Sequence, residues 1–320
     1  TVYADGSTEL FGYDAAGNYI RHTDQEGRVT TFAADDIGRV TEVTDALGQV
    51  TQYEYDAFGN ILSLRDANAN TTRYTFDSSG RELTRTLPTG GVRQRNWDNS
   101  SNLISERDAT GRLVQHQYDS LNRLTRTLLP GGGAIAITYY PNGQEETITD
   151  SRGVTRYQYD AAGRISEITN PDGSFVRYQF DSRGNRSSIS TSSGTLSYQY
   201  DANNRLRAVD IGGGQSVIYQ YDRSGLTTSI QFPNGARTNY SYDQVSRVSR
   251  VSTLDSLGAT VEELSYSRDR LGHVTGISSS AGISQQFILD SLYRLTEERR
   301  TSGSGLNETL QFSYDAVGNR

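Results

Sequence analysis

Residues 53–66 read YEYDAFGNILSLRD, and the same order of residue types returns as YQYDAAGRISEITN from Tyr157 and YQYDANNRLRAVDI from Tyr198. Self-similarity at a fixed period is the signature of a repeat array, and the period rather than the length then decides the architecture. Aligned on the aspartate, the copies centre on Asp14, Asp35, Asp56, Asp77, Asp98, Asp119, Asp160, Asp181, Asp201, Asp222, Asp243, Asp269, Asp290 and Asp315. A degenerate copy carries Tyr140 and Pro141 at the tyrosine and aspartate positions. The commonest spacing is 21 residues, which gives about fifteen copies in 320 residues.

Two aromatic columns precede the aspartate. Three residues before it, twelve of the fourteen copies carry an aromatic, and one residue before it eleven do. The pairs Tyr53 and Tyr55, Tyr74 and Phe76, Tyr157 and Tyr159, Tyr178 and Phe180, Tyr198 and Tyr200, Tyr219 and Tyr221, and Tyr240 and Tyr242 illustrate them. A separation of two puts both rings on one face of a β-strand. The residue between them is usually polar or small, as at Glu54, Gln158 and Gln199. Period-two alternation of β-favouring aromatics predicts a strand.

A turn follows. Asp at the first position and Gly at the fourth suit a type I turn in which the carboxylate accepts a backbone N–H. Gly holds the fourth position in nine copies. The aspartates assigned this turn role are Asp14, Asp35, Asp56, Asp77, Asp98, Asp119, Asp160, Asp181, Asp201, Asp222, Asp243 and Asp315. A second turn comes ten residues later, for example TDALG from Thr44, with Gly thirteen residues past the aspartate in eleven of thirteen complete copies. Two turns per repeat mean two short strands, so the chain reads as a series of hairpins.

The outgoing strand leaves a choice open. Its apolar residues fall five places after the aspartate (Val40, Ile61, Leu103, Ile165) and eight places after (Val43, Leu64, Ile168, Val209). Those offsets have opposite parity, so either a bulge intervenes or both faces are partly buried.

Composition fits an array without a thick core. Apolar residues, tyrosine included, make up 34%, against roughly 45–50% with glycine counted in an ordinary domain. The net charge of −7 argues against a nucleic acid or an anionic membrane, either of which wants a basic face. With no cysteine, disulfides and thiolate metal sites are out of reach. No apolar run approaches the roughly 18 residues of a spanning helix. One such hairpin is marginal in water, but hairpins in register let each aromatic pair lie against its neighbours, a ladder in which cross-strand pairs contribute roughly 0.2–1 kcal/mol each. The expected fold is all-β: an array of antiparallel β-hairpins forming a curled or spiralling sheet. A propeller needs a pairwise alternation of repeats that is not seen, and two even turns do not suit a three-cornered β-helix.

The motif YDxxGRL, with the lead-in GQVTQYEYD over residues 48–56, resembles the YD-repeat or Rhs-repeat family along essentially the whole chain. The resemblance implies a large hollow β-shell. In bacterial polymorphic toxins and insecticidal toxin complexes such a shell encloses a C-terminal toxin, and in teneurins a related shell serves adhesion. For this chain it implies a single array over residues 1–320, a fragment of a longer polypeptide, secreted or at a bacterial cell surface. Its partners are then other segments of the same shell and an enclosed toxin polypeptide, with no cofactor, nucleic acid or membrane insertion. The alternative is an extracellular adhesion module recognising glycan or protein. The DPxG-type motif and aspartyl self-cleavage site that close bacterial shells do not occur before Arg320, so self-cleavage is carried to no residue here.

Candidate chemistry outside the turns is thin. Turn capping accounts for the regular aspartates without calcium, and the GGxGxD signature of calcium-binding rolls is absent. His22, His116 and His273 sit in three separate copies. There is no GxSxG elbow, and the glycine clusters at residues 131–133 and 212–214 lack the Lys-Ser/Thr of a phosphate loop. The segment is therefore expected to be no enzyme. Two insertions, DSLGATVEE from Asp255 and TSGSGLNET from Thr301, break the period and map to loops, the place a local partner contact would take.

Overall fold

Tyr53 and Tyr55 are half-buried while Gln52 before them and Glu54 between them are exposed, which is the alternation that a strand with one covered face requires. The computed structural model, which describes residues 1–3, 6–305 and 307–320, has 29 antiparallel strands and no helix among the described residues, and that alternation recurs in strands carrying the aromatic columns, such as Val29–Ala34, Thr71–Phe76 and Phe175–Phe180. Two compact units are distinguishable: Thr1–Tyr74 with Tyr221–Ile230 and Asn234–Arg320, and Thr75–Gln220 with Gln231–Pro233. In the first, consecutive strands pair antiparallel from Leu10–Tyr13 through Thr71–Phe76 and from Arg237–Tyr242 through Asn307–Gln311. In the second they do so from Glu82–Thr86 through Gln215–Tyr221.

Register resolves the parity problem. Tyr53 pairs with Leu64 and Glu54 with Ser63, but Tyr55 pairs with Ile61, so Leu62 is passed over. The same skip puts Tyr157 opposite Ile168 and Tyr159 opposite Ile165, and Tyr240 opposite Val251 and Tyr242 opposite Val248. One extra residue in the outgoing strand thus brings both apolar offsets onto the aromatic face. Of the two alternatives, the bulge is the one the chain uses.

The turn preceding each bulge is a type I turn closed by a left-handed residue. At Asp56 the Gly59 N–H donates to the Asp56 carbonyl at 3.2 Å and the Asp56 N–H to the Asn60 carbonyl at 2.9 Å. Gly59 has φ 93°, a region closed to most side chains. The shortened spacing between Asp181 and Asp201 has a local cause: that repeat turns back in two residues, pairing Thr191 with Gly194.

Depth is limited to one sheet. Among the described residues the only buried apolar side chain is Ala208, at 8% exposure. The other closely packed side chains are small and polar: Ser63, Ser188 and Ser229, which like Ala208 lie seven residues past the aspartate, and Ser7 and Thr238 elsewhere. Their smallness lets the long side chain opposite lie across them: Ser63 Oγ donates to Glu54 Oε2 at 2.6 Å, and Ser188 Oγ to Gln179 Oε1 at 3.1 Å. Both insertions lengthen hairpins, giving Val248–Leu254 paired with Thr260–Arg268 and Leu295–Ser302 paired with Asn307–Gln311. Leu306, in the second insertion, lies outside the described residues.

Candidate functional site

The turn aspartates share one build. Each of Asp14, Asp35, Asp56, Asp77, Asp98, Asp119, Asp160, Asp181, Asp201, Asp222, Asp243 and Asp315 has its own N–H on the carbonyl four residues ahead and its carbonyl on the N–H three ahead. The carboxylate then takes backbone donors inside the turn: Asp35 Oδ1 accepts from Ile37 N at 3.1 Å and Arg39 N at 2.9 Å, and Asp160 Oδ1 from Ala162 N at 2.9 Å and Arg164 N at 3.0 Å. The second turn repeats this arrangement at Asp24, Asp45 and Asp66. Lone pairs committed to backbone donors are lone pairs not offered to a cation, and among the described residues no three His, Asp or Glu side chains converge as metal donors.

The residue four past the aspartate has a role that the sequence reading did not assign. It is Arg at 39, 81, 123, 164, 205, 247 and 294, and Asn at 18, 60, 102, 185 and 319. Asn60 Nδ2 donates to Asp56 Oδ2 at 2.8 Å. Arg39 Nε donates to Asp35 Oδ2 at 2.7 Å, and its Nη1 reaches forward to the carbonyl of Asp56 at 2.8 Å. The guanidinium lies over the aromatic ring one residue before the residue that heads the next turn: Arg39 over Tyr55 at 4.8 Å, Arg123 over Tyr139 at 4.5 Å, Arg164 over Phe180 at 4.0 Å and Arg294 over Tyr314 at 4.8 Å. In the degenerate copy that head is Tyr140 and not Pro141, where the sequence alignment places it. The ring in turn reaches back. Tyr55 Oη donates to the Val40 carbonyl at 2.8 Å, Tyr118 to Leu103, Tyr139 to Leu124, Tyr200 to Arg186 and Tyr242 to Thr227, and Trp97 Nε1 donates to Glu82.

The ladder is therefore built differently from the expected stack of aromatic pairs. Within a hairpin the rings of Tyr53, Tyr157, Tyr178, Tyr198 and Tyr240 face Leu64, Ile168, Ile189, Val209 and Val251, and Tyr55, Tyr159, Tyr200 and Tyr242 face Ile61, Ile165, Leu206 and Val248; Phe180 faces Arg186. Between hairpins the joint is guanidinium over ring and phenol to carbonyl. Tyr74 and Phe76, and Tyr219 and Tyr221, occupy the matching half-buried positions of Thr71–Phe76 and Gln215–Tyr221. Ring-on-ring contact occurs among Phe11, Tyr13, Tyr19 and Phe32, and between Tyr140 and Tyr159.

Both columns carry shifted protonation equilibria. The Arg39 backbone N–H, ahead of its guanidinium, holds the Asp35 carboxyl below the usual carboxylate range against an opposing partial desolvation. At Asp56 the Asn60 amide does so first. Burial pushes the phenols of Tyr118, Tyr139, Tyr159, Tyr200 and Tyr242 up.

Within the first unit a second kind of contact appears, between turn rows rather than along the sheet. The Asp24–Arg28 turn meets the turns at Asp269 and Asp290. Tyr293 Oη donates to Asp24 Oδ2, the Arg28 guanidinium sits 3.6 Å over the Tyr293 ring, and the His273 ring stacks on it at 4.3 Å and 25°. Arg270 N donates to Glu26 Oε1 at 3.0 Å, and further along the row Asn68 Nδ2 donates to Asp315 Oδ2 at 3.0 Å. The Gln49 amide, nitrogen turned towards acceptors, reaches the Ala316 carbonyl. Second turns of the early hairpins thus meet first turns of the late ones, across 244, 247 and 269 residues of chain. Tyr293 occupies the left-handed turn position, at φ 63°. Nothing in the sequence reading singled it out, although it is the lone tyrosine in the column that is mostly glycine.

The histidines stay apart in role. His22 Nε2 lies 2.7 Å from Glu9 Oε1, His116 Nδ1 3.1 Å from Thr127 Oγ1 and His273 Nδ1 2.9 Å from Asp269 Oδ2. A depression of about 480 Å³ over the small-residue column is lined by Ser265, Ser267, Gly276, Ser278 and Gln286 among others, with no titratable acid–base pair in it beyond Tyr266. No helix is long and apolar enough to cross a membrane among the described residues.

A family model described as RHS repeat matches residues 35–71, 97–134, 139–174, 160–196 and 200–235. A search of curated proteins gave no match. Among solved structures, the complex TcdB2-TccC3-Cdc42 matches 97% of this chain at 15% identity with a TM-score of 0.75, and TcdB2-TccC3 without its hypervariable C-terminal region matches 99% at 15% identity with a TM-score of 0.73. A Photorhabdus luminescens Tc holotoxin pore matches 98% at 17% identity with a TM-score of 0.63. The chain spans 22%, 22% and 20% of those chains respectively. At such identities the likeness is one of fold.

Proposed function

Because the chain belongs to the RHS repeat family, which matches more than half of its residues, we propose that it is a non-catalytic length of wall in a secreted bacterial shell enclosing a C-terminal toxin polypeptide. The observation that carries this reading is the turn-to-turn stacking in the first unit, where residues 244 to 269 apart in sequence meet rim against rim. A wall laid in successive courses needs contacts of this kind, and an isolated adhesive strip does not. The fold likeness to toxin-complex chains, one of them described as lacking a hypervariable C-terminal region, adds support. A variable segment at that end is what a cargo of changing identity would be.

The mechanism is physical. Hairpins are tied to the next by backbone pairing and, where the motif carries arginine and tyrosine, by a guanidinium over a ring and a phenol on a carbonyl, so the wall resists local opening without a thick core. The face opposite the aromatics is lined by Ser, Gln and Glu side chains bonded to one another, as at Ser63 and Glu54. A polar face of that kind can lie beside an incompletely folded polypeptide without gripping it. The chain is read as one continuous array across its full 320 residues, the turn aspartates and aromatic columns serving the wall and no reaction.

Electron microscopy of the natural polypeptide that carries this chain tests the proposal. A closed hollow particle with internal density supports enclosure. A solid, open or filamentous particle overturns it and moves the weight to an adhesion module.

A further inference from the structure

Two arginines face each other in the second unit, where the repeat otherwise places an apolar or hydroxyl pair. The residue eight past one turn aspartate pairs across the strands with the residue five before the next. At three successive joints that pair is Val43 with Thr51, Leu64 with Thr72, and Arg85 with Arg93, and at Ile168 with Val176 it is apolar again. Like charges directly opposite each other in an antiparallel pair are destabilising. The joint lies well inside the chain, between Glu82–Thr86 and Val92–Trp97.

The columns around the pair are charged in the same stretch. Glu82 holds the apolar position five past Asp77, Arg95 the aromatic position three before Asp98, and Glu106 the apolar position eight past it. Arg85 Nη2 donates to Glu82 Oε2 at 2.8 Å. Arg95 spans both acids, with Nε on Glu106 Oε2 at 2.7 Å and Nη1 3.3 Å from Glu82 Oε1. Arg93 Nε stands 3.7 Å from Glu106 Oε1, beyond hydrogen-bond reach. Three guanidinium groups thus share two carboxylates, which leaves a local positive excess in a chain of net charge −7. The side chains of Arg85 and Arg93 are each 35% exposed against 13% for Glu82, so the excess faces solvent at the pair.

We propose that Arg85 and Arg93 clamp a carboxylate of an acidic polypeptide segment that lies on the aromatic face of this stretch. Facing guanidinium groups offer a carboxylate donors from two sides, and an anion between them turns the like-charge cost into a gain. Glu82 and Glu106 restrict the site to an isolated acid. A nucleic acid or an anionic membrane brings many charges at once, and would meet those two carboxylates and the turn aspartates beyond them. The seam of the first unit joins turns to turns, whereas Arg93 belongs to a strand and stands with Arg95 and Trp97 on one face. Courses stacked turn to turn leave that face uncovered. The inference stands whether or not the wall encloses a cargo.

Fluorescence anisotropy of a fluorescein-labelled peptide of alternating Glu and Ser, titrated with the whole chain, tests this beside the variant Arg85→Leu/Arg93→Thr. The variant writes the Leu64–Thr72 joint of the preceding repeat into this one and leaves Arg95 to hold both carboxylates. Its urea midpoint is therefore expected to equal or exceed the parent's. The parent is expected to bind the peptide saturably below about 1 mM and to release it as salt is raised to about 0.5 M. The variant is expected to bind about tenfold more weakly, the loss of one charge-assisted hydrogen bond. A peptide with Gln in place of Glu is expected not to bind. Absence of saturable binding by the parent would overturn the proposal, and so would equal binding by parent and variant. Pyrophosphate displacing the labelled peptide at lower concentration than unlabelled peptide does would make the site one for phosphate, and the acidic segment would be wrong. A variant that unfolds earlier than the parent would show the arginine pair to serve the sheet itself, which removes the ground for a ligand.

Discussion

Tyr293 sets a strained backbone against a cluster of contacts, and replacing it separates the two. At φ 63° a non-glycine residue carries roughly 1–2 kcal/mol of left-handed strain, which Tyr293→Gly would release. The same substitution removes a phenol bond to the Asp24 carboxylate, a guanidinium 3.6 Å above the ring and a His273 ring stacked at 4.3 Å. Charge-assisted hydrogen bonds contribute about 1.5–3 kcal/mol, a cation over a ring about 0.5–2 and an aromatic pair about 0.5–1.5. The losses exceed the relief, for a net destabilisation of about 0.5–5.5 kcal/mol. Tyr293→Phe keeps the ring and the strain and loses only the phenol bond, about 1.5–3 kcal/mol. Ser246→Gly, at φ 65° on an exposed turn, is the control and is expected to be neutral or to stabilise by up to about 1 kcal/mol. Urea unfolding followed by far-UV circular dichroism measures all three, and hydrogen exchange at residues 24–28 reports the partner turn. A Tyr293→Gly variant as stable as the parent, with unchanged protection at the Asp24 turn, would refute the claim that the contact outweighs the strain.

Three further outcomes follow from the repeat itself. Arg164→Ala, which removes both the Asp160 bond and the cover of Phe180 at 4.0 Å, is expected to lower the thermal midpoint clearly. Arg112→Ala, whose side chain is 70% exposed on a second turn, should barely move it, and equal shifts in differential scanning fluorimetry would contradict the role given to the fourth residue. In Gly276→Ala the new Cβ would meet Ser267 Oγ at 2.6 Å and the Gln285 carbonyl at 3.2 Å, an overpacking worth about 1–3 kcal/mol that a second change, Ser267→Ala, should partly relieve in the same urea assay. The pH profile of the urea midpoint should fall on both sides of a plateau. Depressed carboxyls such as Asp35 and Asp56 stabilise fully above their unfolded value near about 4 and lose this as pH drops through the folded one, while raised phenols such as Tyr139 and Tyr200 stabilise fully below about 10 and lose it as pH climbs. A midpoint that rises below about pH 4 would show the signs to be wrong.

Strands and turns were legible because their causes are local. Tyr53 and Tyr55 two apart make a one-faced strand, and Asp56 with Gly59 makes the turn, with no information from elsewhere. The bulge at Leu62 was not legible, because parity within one strand does not say which register the partner will take; only the pairing of Tyr55 with Ile61 decides it. The arginine of the motif was visible in seven copies, but its forward contact lies 17 residues on, at the next turn's carbonyl. A reading made one repeat at a time assigns it no partner. For the same reason the aromatic columns were expected to meet each other: they are the largest apolar surfaces available, and the guanidinium that covers them comes from the preceding hairpin.

The seam was illegible for a different reason. Which turn faces which depends on the accumulated twist of every intervening strand, a quantity that no single repeat encodes. Along the sheet, neighbours are fixed by covalent order, and stability there is close to a sum of hairpin and nearest-neighbour terms. Such a sum is indifferent to how successive courses lie against one another, since sliding one past the other by a repeat would match aspartate turn to aspartate turn equally well. Identical turns therefore cannot set the register between rows; exceptional ones must. Tyr293 is the exception that the described residues offer, a bulky side chain in a column of glycines, serines and asparagines, gripped by Asp24, Arg28 and His273 at once. A displacement of one repeat would put Gly272 or Gly318 in its place, and neither has a side chain to grip. The strain in that turn is the local cost of breaking a degeneracy that the repeat creates.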